Sequence, residues 1–292
     1  MKKILIIQSA GMHDGKRTKY CKNDHLRECL SLQRAFQNNN WDATVWGLRH
    51  KNFTQNIDFN SYDYILTLEN YEMKWLPDFS KITKPIKMQW IIDLHVQKPE
   101  VYGKITNYMD IVLHSTKSLM INYGKKYPKQ KHLWFPNGYD DAYFKNLNME
   151  KTRNVIFIGN VCNRRNMLLY MKEKHKMNCF NITGIEMINM INKSKVHFNK
   201  SVSMDVNYRN FETMGCGTCL LTNHLEELEE LGFIDGVNCF MYKNDANDLD
   251  NKVKLALENW EKVGTEGEKF VKKHTYTNRV KDLIKKLKLY YE

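Results

Sequence analysis

The segment Arg209-Asn210-Phe211-Glu212-Thr213-Met214-Gly215-Cys216-Gly217-Thr218-Cys219-Leu220-Leu221-Thr222 constrains the fold more than any other part of the chain. It predicts a short helix, a glycine break and a buried strand, with one acid just ahead of the break. Phe211 and Met214 are three apart and share a helix face, which leaves Glu212 on another. Gly215 and Gly217 end the helix and let the backbone pass close to a neighbour. Thr218 to Thr222 is short and largely apolar, as a strand of a parallel sheet covered on both faces would be. A carboxylate at the carboxyl edge of such a sheet can accept hydrogen bonds from a ligand's paired hydroxyls. The same residues also suit a capped helix packed on a strand, with no ligand involved.

Strand and helix signals alternate along the chain, which predicts an α/β fold with parallel sheets. Lys3 to Gln8 reads as the first strand, followed by the polar, glycine-containing loop Gly11 to Arg17. Leu26, Leu30, Leu32 and Phe36 mark one face of a helix that stops at Asn38-Asn39-Asn40. Thr44 to Trp46, Tyr64 to Thr67, Lys87 to Ile92 and Ile111 to His114 continue the strand series. Phe135-Pro136-Asn137-Gly138-Tyr139-Asp140 is turn chemistry, because Asn-Gly favours positive φ. Asn154 to Ile158 then opens a second βα series. At 292 residues the chain has room for two such halves.

With 42% hydrophobic and 27% charged residues, the composition is that of a globular protein. The apolar run Ile4 to Ile7 is too short for a signal sequence and lacks a cleavage-like segment, so a core strand is expected. No stretch reaches the roughly 20 apolar residues of a membrane span. The seven cysteines are scattered, without paired CxxC units or histidines at zinc spacing. Cys216 and Cys219 lie at the helix-strand junction, where packing accounts for them. Reduced thiols and a cytoplasmic location are expected. The net charge of +12 suits a phosphate-rich partner or an anionic membrane face. The abundance of lysine over arginine, with asparagine, isoleucine and tyrosine, is also what an AT-rich genome yields without any partner.

Candidate chemistry clusters at three strand ends. Val155-Ile156-Phe157-Ile158 runs into Gly159 and Asn160, then Arg164 and Arg165. A strand that opens through glycine into a helix presents free backbone amides to an anion. Arginine adds bidentate phosphate donors, although paired arginines at a helix start also suit a solvated face. Arg209 is a further phosphate candidate. Trp90-Ile91-Ile92-Asp93-Leu94-His95 ends a strand in two titratable groups, either a reacting pair or a helix cap with a surface histidine. His114 and Ser115 form a weaker candidate of the same kind. Acceptor-side candidates are Gly11, His13, Lys16 and Arg17, in a loop whose charges suit an anionic acceptor or simply a polar surface.

Arg209 to Asn223, Leu228-Glu229-Glu230-Leu231, Asp235-Gly236-Val237-Asn238 and His274-Thr275-Tyr276-Thr277-Asn278-Arg279-Val280 together resemble the donor-binding half of GT-B glycosyltransferases. The branch similar to CgeB spore-maturation proteins matches best, over roughly residues 153 to 285. The resemblance implies a GT-B fold: two Rossmann-like domains with parallel sheets facing across a cleft, and a C-terminal helix crossing back to the first domain. Residues 135–140 resemble the PNGxD interdomain element. The expected domains are therefore an acceptor-side domain at 1–137, a donor domain at 138–273 and the returning helix at 274–292. That helix has a predicted apolar stripe of Val280, Leu283, Ile284, Leu287 and Leu289.

In such enzymes the glutamate matching Glu212 holds the ribose of a nucleotide sugar. Gly159, Asn160, Arg164, Arg165, Arg209, Phe211 and Thr213 then surround the donor, and Asp93 and His95 attend the reacting centre. The co-substrate would be a nucleoside-diphosphate sugar, such as a UDP-sugar, and no cofactor or metal is expected. At the first acid of the E-x7-E pair found in many relatives stands Met204, so either the adjacent Asp205 substitutes after a one-residue shift or the first acid is lost. The implied activity is transfer of a sugar, with retention, to a hydroxyl of a glycan or surface polymer. A modified base in duplex DNA, as with phage DNA glycosyltransferases, is the other acceptor. Loss of the first acid leaves open a catalytically inactive GT-B protein that binds nucleotide sugar or nucleic acid.

Overall fold

Short runs of aliphatic residues set the strands, and their burial on both faces makes the sheets parallel. The computed structural model describes residues 1–10, 26–53, 56–68, 70, 73–94, 99–203, 205–243 and 245–291. These divide into two compact units, residues 1–137 with 276–292, and residues 138–275.

The first unit is built on β1 (Lys3–Ile7), whose four aliphatic residues are fully buried. β2 (Asp42–Trp46) and β3 (Tyr64–Thr67) flank it in parallel, with Ile4 level with both Ala43 and Tyr64. β4 (Ile86–Ile91), β5 (Ile111–His114) and β6 (Lys131–Trp134) extend the sheet in the order β2-β1-β3-β4-β5-β6. α1 (Glu28–Asn38), α2 (Pro99–Thr106) and α3 (Lys117–Lys126) make the crossovers. β6 is an edge strand with no fully buried residue.

In the second unit β7 (Arg153–Ile158), β8 (Asn178–Phe180), β9 (Ser194–Asn199), β10 (Cys219–Asn223) and β11 (Phe240–Tyr242) form a parallel sheet ordered β11-β10-β9-β7-β8. The connecting helices are α4 (Arg165–His175), α5 (Gly184–Asn192), α6 (Tyr208–Gly215), α7 (Glu226–Glu230) and α8 (Ala246–Val271). One sheet face packs Val155, Phe157, Val196, Phe198 and Leu221 against α4 and α8. The other carries His197, Asn199 and Thr222 beneath α6.

α9 (Tyr276–Tyr291) belongs to the first unit, where Tyr276, Val280, Leu283 and Leu287 join the core built on Ile4 and Ile6. Each fully buried side chain of this size contributes roughly 1.5–3 kcal/mol, enough to fix the helix there. Leu289, expected on the same stripe, is 84% exposed: at two residues past Leu287 it points away from the core. His274 packs on Phe211, Phe233 and Phe270, and Thr275 bridges to Tyr139, so both stay with the second unit. The returning segment expected from 274 is therefore helical in the first unit from Tyr276.

Candidate functional site

In the second unit the strand order reverses between β7 and β9, because the first strand has its successor on one side and the third strand on the other. The carboxyl ends of two such strands splay their following loops apart and leave a crevice for ligands. Here those ends are Ile158-Gly159-Asn160 and Asn199-Lys200-Ser201.

Arg164 ties the two loops together. Its Nη1 donates to the Lys200 carbonyl at 2.6 Å and its Nη2 to the Asn160 carbonyl at 2.8 Å. The guanidinium lies 5.1 Å from the Phe157 ring centroid, and its buried Nε has no hydrogen-bond partner. Burial pulls its pKa below the usual arginine value. Two donors are thus used by backbone carbonyls, which makes Arg164 a brace of the crevice. Arg165, by contrast, is exposed and begins α4, whose N-cap residue is Arg164 with no side-chain cap. Uncapped amides at a helix start, with an arginine beside them, form an anion-binding arrangement. Gly159 holds φ +152°, a conformation that side-chain-bearing residues rarely adopt.

The other wall is α6. Asn199 at the end of β9 donates to Asn207 Oδ1 at 3.2 Å and to Asn210 Oδ1 at 2.6 Å, anchoring the helix start to the sheet. Asn207 in turn caps the helix through the Arg209 amide. Arg209 Nη1 donates to Glu212 Oε2 at 2.6 Å, with side chains only 14% and 11% exposed. The same Nη1 lies 2.8 Å from Met187 Sδ on α5. The break after α6 serves packing within the unit. A Cβ on Gly215 would lie 2.6 Å from the Tyr139 ring and 2.9 Å from the Phe144 carbonyl. Gly217 takes φ +66° and a Cβ there would lie 2.5 Å from Asn146 Nδ2.

Phe211 and Thr213, expected at the donor, are turned inward. Phe211 is fully buried against Phe233 and His274, and the Thr213 hydroxyl meets His197 Nδ1 at 2.7 Å. Flanking Glu212 on a helix sends their side chains to other faces, so they frame the acid and do not line the crevice. His197 is fully buried on β9, and burial holds its pKa well below the usual value. Its Nε2, with Asn210 Nδ2 and Thr222 Oγ1, is buried without a hydrogen-bond partner. Sequence reasoning missed this polar layer under α6, although Asn207, Asn210 and Thr213 recur at helical spacing above it. The Asp205 carboxylate accepts a long 3.4 Å bond from the Ser203 amide and its carbonyl a 2.8 Å bond from Ser201 Oγ, and Met204 lies outside the described residues. Cys216 and Cys219 are buried free thiols, and burial raises both pKa values, that of Cys219 to about 12. Among the described residues no cluster of potential metal ligands forms.

In the first unit the order reverses between β1 and β3. Asn70 laces their ends, accepting from the Ser9 amide and donating to the Leu68 and Ile7 carbonyls. Gln8 bridges to Glu28 and to the Cys29 amide at the start of α1. Neither residue stood out in the sequence. Asp93 follows β4, half-buried, two residues past the strand end. Ser115 Oγ donates to the Ile92 carbonyl beside it. His114 is 1% exposed and paired with His132 at 2.9 Å, a core histidine rather than a reactive one. His95, Gly11, His13, Lys16 and Arg17 lie outside the described residues.

Residues 148–285, a little under half of the chain, match a family described as glycosyl transferase-like. Comparison with curated proteins gives no significant match. The structure of a sucrose-phosphate synthase from Thermosynechococcus elongatus is similar at TM-score 0.66 and 13% identity, covering 98% of this chain and 99% of that one. HepE from Anabaena, crystallised with UDP and glucose, is similar at TM-score 0.65 and 12% identity, covering 99% and 100%. A DNA-modifying β-glucosyltransferase studied with and without uridine diphosphoglucose gives 0.63 and 15%, covering 98% and 99%. The fold is GT-B. With the family match falling mostly on the second unit and ending in α9, these comparisons support a glycosyltransferase. In this GT-B chain the glycosyl transferase-like match covers both walls of the β7/β9 crevice. No helix among the described residues is long and apolar enough to cross a membrane.

Proposed function

We propose that this chain is a GT-B glycosyltransferase of the CgeB-like branch, moving a sugar from a nucleoside-diphosphate sugar to a hydroxyl acceptor. The observation that carries the reading is the crevice at the β7/β9 reversal, with the α4 N-terminus on one wall and the Arg209–Glu212 pair on the other. Glu212 accepts from the ribose hydroxyls. Arg165, the α4 amides and Arg209 receive the diphosphate, while Arg164 holds the loops in place. Departure of a nucleoside diphosphate develops negative charge, which fixed amides and guanidinium groups stabilise without a divalent ion. Asp93, with His95, attends the acceptor hydroxyl. Retention of configuration and a cytoplasmic location complete the proposal. A UDP-sugar is favoured because two similar structures are described with UDP and glucose or uridine diphosphoglucose. The acceptor is a glycan or surface-polymer hydroxyl, or a modified base in DNA. Met204 at the first-acid position favours a second reading, an inactive GT-B protein that binds nucleotide sugar.

Metal-free thermal shifts with nucleoside diphosphates and their sugars, on wild type and Glu212→Ala, test the donor site. A ligand at 100 times its dissociation constant stabilises the fold by about 2.7 kcal/mol. Stabilisation by one nucleotide family, absent in Glu212→Ala, is the expected result. No response to any nucleotide would sink the donor assignment. Hydrolysis or transfer of the bound donor sugar, lost in Asp93→Asn while the thermal shift persists, separates the enzyme from the inactive reading.

A further inference from the structure

The positive charge of this chain is confined to one of its two units. Residues 1–137 and 276–292 hold 26 lysines and arginines against 14 aspartates and glutamates, whereas residues 138–275 hold 19 against 19. The whole excess of +12 therefore belongs to the first unit. An AT-rich genome would enrich lysine throughout, and lysine is indeed common in both units, 21 and 15 residues. Base composition does not account for the scarcity of acids in one unit alone. A one-sided charge is the pattern of a protein that meets an anionic surface.

Within the first unit, part of this charge gathers where three elements end together. α3 finishes on Lys125 and Lys126, and the chain returns through the edge strand β6, which begins at Lys131. The Lys131 ammonium lies 3.9 Å from the Tyr290 ring centroid and 5.2 Å from that of Tyr291, bringing the last turn of α9 to the same place. Lys285, Lys286 and Lys288 are exposed along that end of α9. Among the described residues Asp282 pairs with Lys285, at 3.4 Å, and that pair is about two-thirds exposed and correspondingly weak.

Apolar side chains stand among these lysines, largely or partly uncovered. Leu289 is 84% exposed, Tyr290 44% and Tyr291 39%. On α3 only Tyr123 is buried, and Ile121, 58% exposed, sits one turn from both Lys117 and Lys125. Phosphates of a nucleic acid attract the lysines but give an exposed leucine and isoleucine nothing to bury. A lipid interface takes both: ammonium groups reach the anionic headgroups while leucine and tyrosine enter the headgroup boundary. We propose that the end of the first unit formed by the C-termini of α3 and α9 and the start of β6 docks on an anionic membrane surface. Docking is peripheral, since no described helix can cross a bilayer. The inference stands independently of the donor site in the other unit.

Co-sedimentation of the full chain with vesicles tests it. Phosphatidylcholine vesicles are compared with vesicles in which a third of the lipid is phosphatidylglycerol, at about 50 and about 300 mM salt. The protein should partition onto the anionic vesicles and largely leave them at the higher salt. Combined Lys285→Glu, Lys286→Glu and Lys288→Glu should weaken partitioning at least about tenfold. Combined Leu289→Ser and Tyr291→Ser should weaken it with the salt dependence intact. All five positions are exposed, so the melting temperature should not move. Equal binding to neutral vesicles, or wild-type binding by the lysine variant, would overturn the proposal. So would duplex DNA that releases the protein from vesicles at equal phosphate concentration and whose own binding needs the same three lysines, which would assign the surface to nucleic acid.

Discussion

Arg209 Nη1 and Glu212 Oε2 are 2.6 Å apart on one turn of α6, each side chain less than 15% exposed. The acid proposed to receive a ribose is therefore already held by a guanidinium from its own helix. Arg209→Ala removes that charged donor from a mostly buried carboxylate and should cost about 2 kcal/mol of stability. It should also weaken nucleoside-diphosphate binding, and by more than it weakens binding of uridine, which has the ribose but no phosphates. Glu212→Gln keeps an acceptor and should lose less stability than Glu212→Ala. Chemical denaturation and calorimetric titration of UDP and uridine measure both effects.

Adjacent arginines should separate cleanly. Arg164 bridges two backbone carbonyls with both terminal nitrogens, a geometry that lysine cannot reproduce. Arg164→Lys should lower stability by about 1.5–3 kcal/mol, since bonds to charged donors are the stronger ones. Arg165→Ala, at an exposed helix start, should stay within about 0.5 kcal/mol of wild type while weakening UDP binding about tenfold. The reverse pattern would exchange their roles.

Much of this architecture was legible in short segments. β1, β3 and β5 are short runs centred on aliphatic residues, and the Arg209 to Thr222 segment places α6, its glycine stop and β10 within a residue or two. β9 was hidden because Lys195 and His197 interrupt its apolar pattern. His197 is nevertheless interior, its polarity met by Thr213 from the helix above. β8 and β11 are three residues long and carry too little periodicity to read. The Arg209–Glu212 pair was latent in its three-residue spacing. The Arg164 brace was not, because its partners are carbonyls, one of them 36 residues away, and backbone acceptors leave no mark in a sequence.

Gly215 offers a test of how tightly α6 is seated. Its missing Cβ leaves room for the Tyr139 ring and the Phe144 carbonyl, both within 3 Å of where that atom would stand. A carbonyl cannot yield as a flexible side chain does. Gly215→Ala should therefore destabilise by about 1–3 kcal/mol, despite alanine's better helix propensity. Urea denaturation should show this, and a Tyr139→Ala background, which empties only the ring's share of the space, should recover part of the loss.

Acid should act on the first unit through His114. Burial, and then the charge of His132, lower its pKa to about 3, so the folded protein keeps it neutral where the unfolded chain binds a proton. The contacts fix the tautomers: with His132 Nε2 directed at the Tyr127 carbonyl at 2.8 Å, His132 Nδ1 accepts from His114 Nε2. The folded pKa lies below the unfolded value near 6.5, so this contribution is present above about pH 6.5 and is lost as pH falls toward 3. From pH 7 to pH 5 the loss from this one group is about 2 kcal/mol. His197, also depressed by burial, adds to it in the same direction. Denaturant midpoints at pH 7 and pH 5 should differ accordingly, and His114→Gln should flatten the difference while lowering stability at pH 7. An unchanged pH dependence in that variant would remove His114 from the acid response.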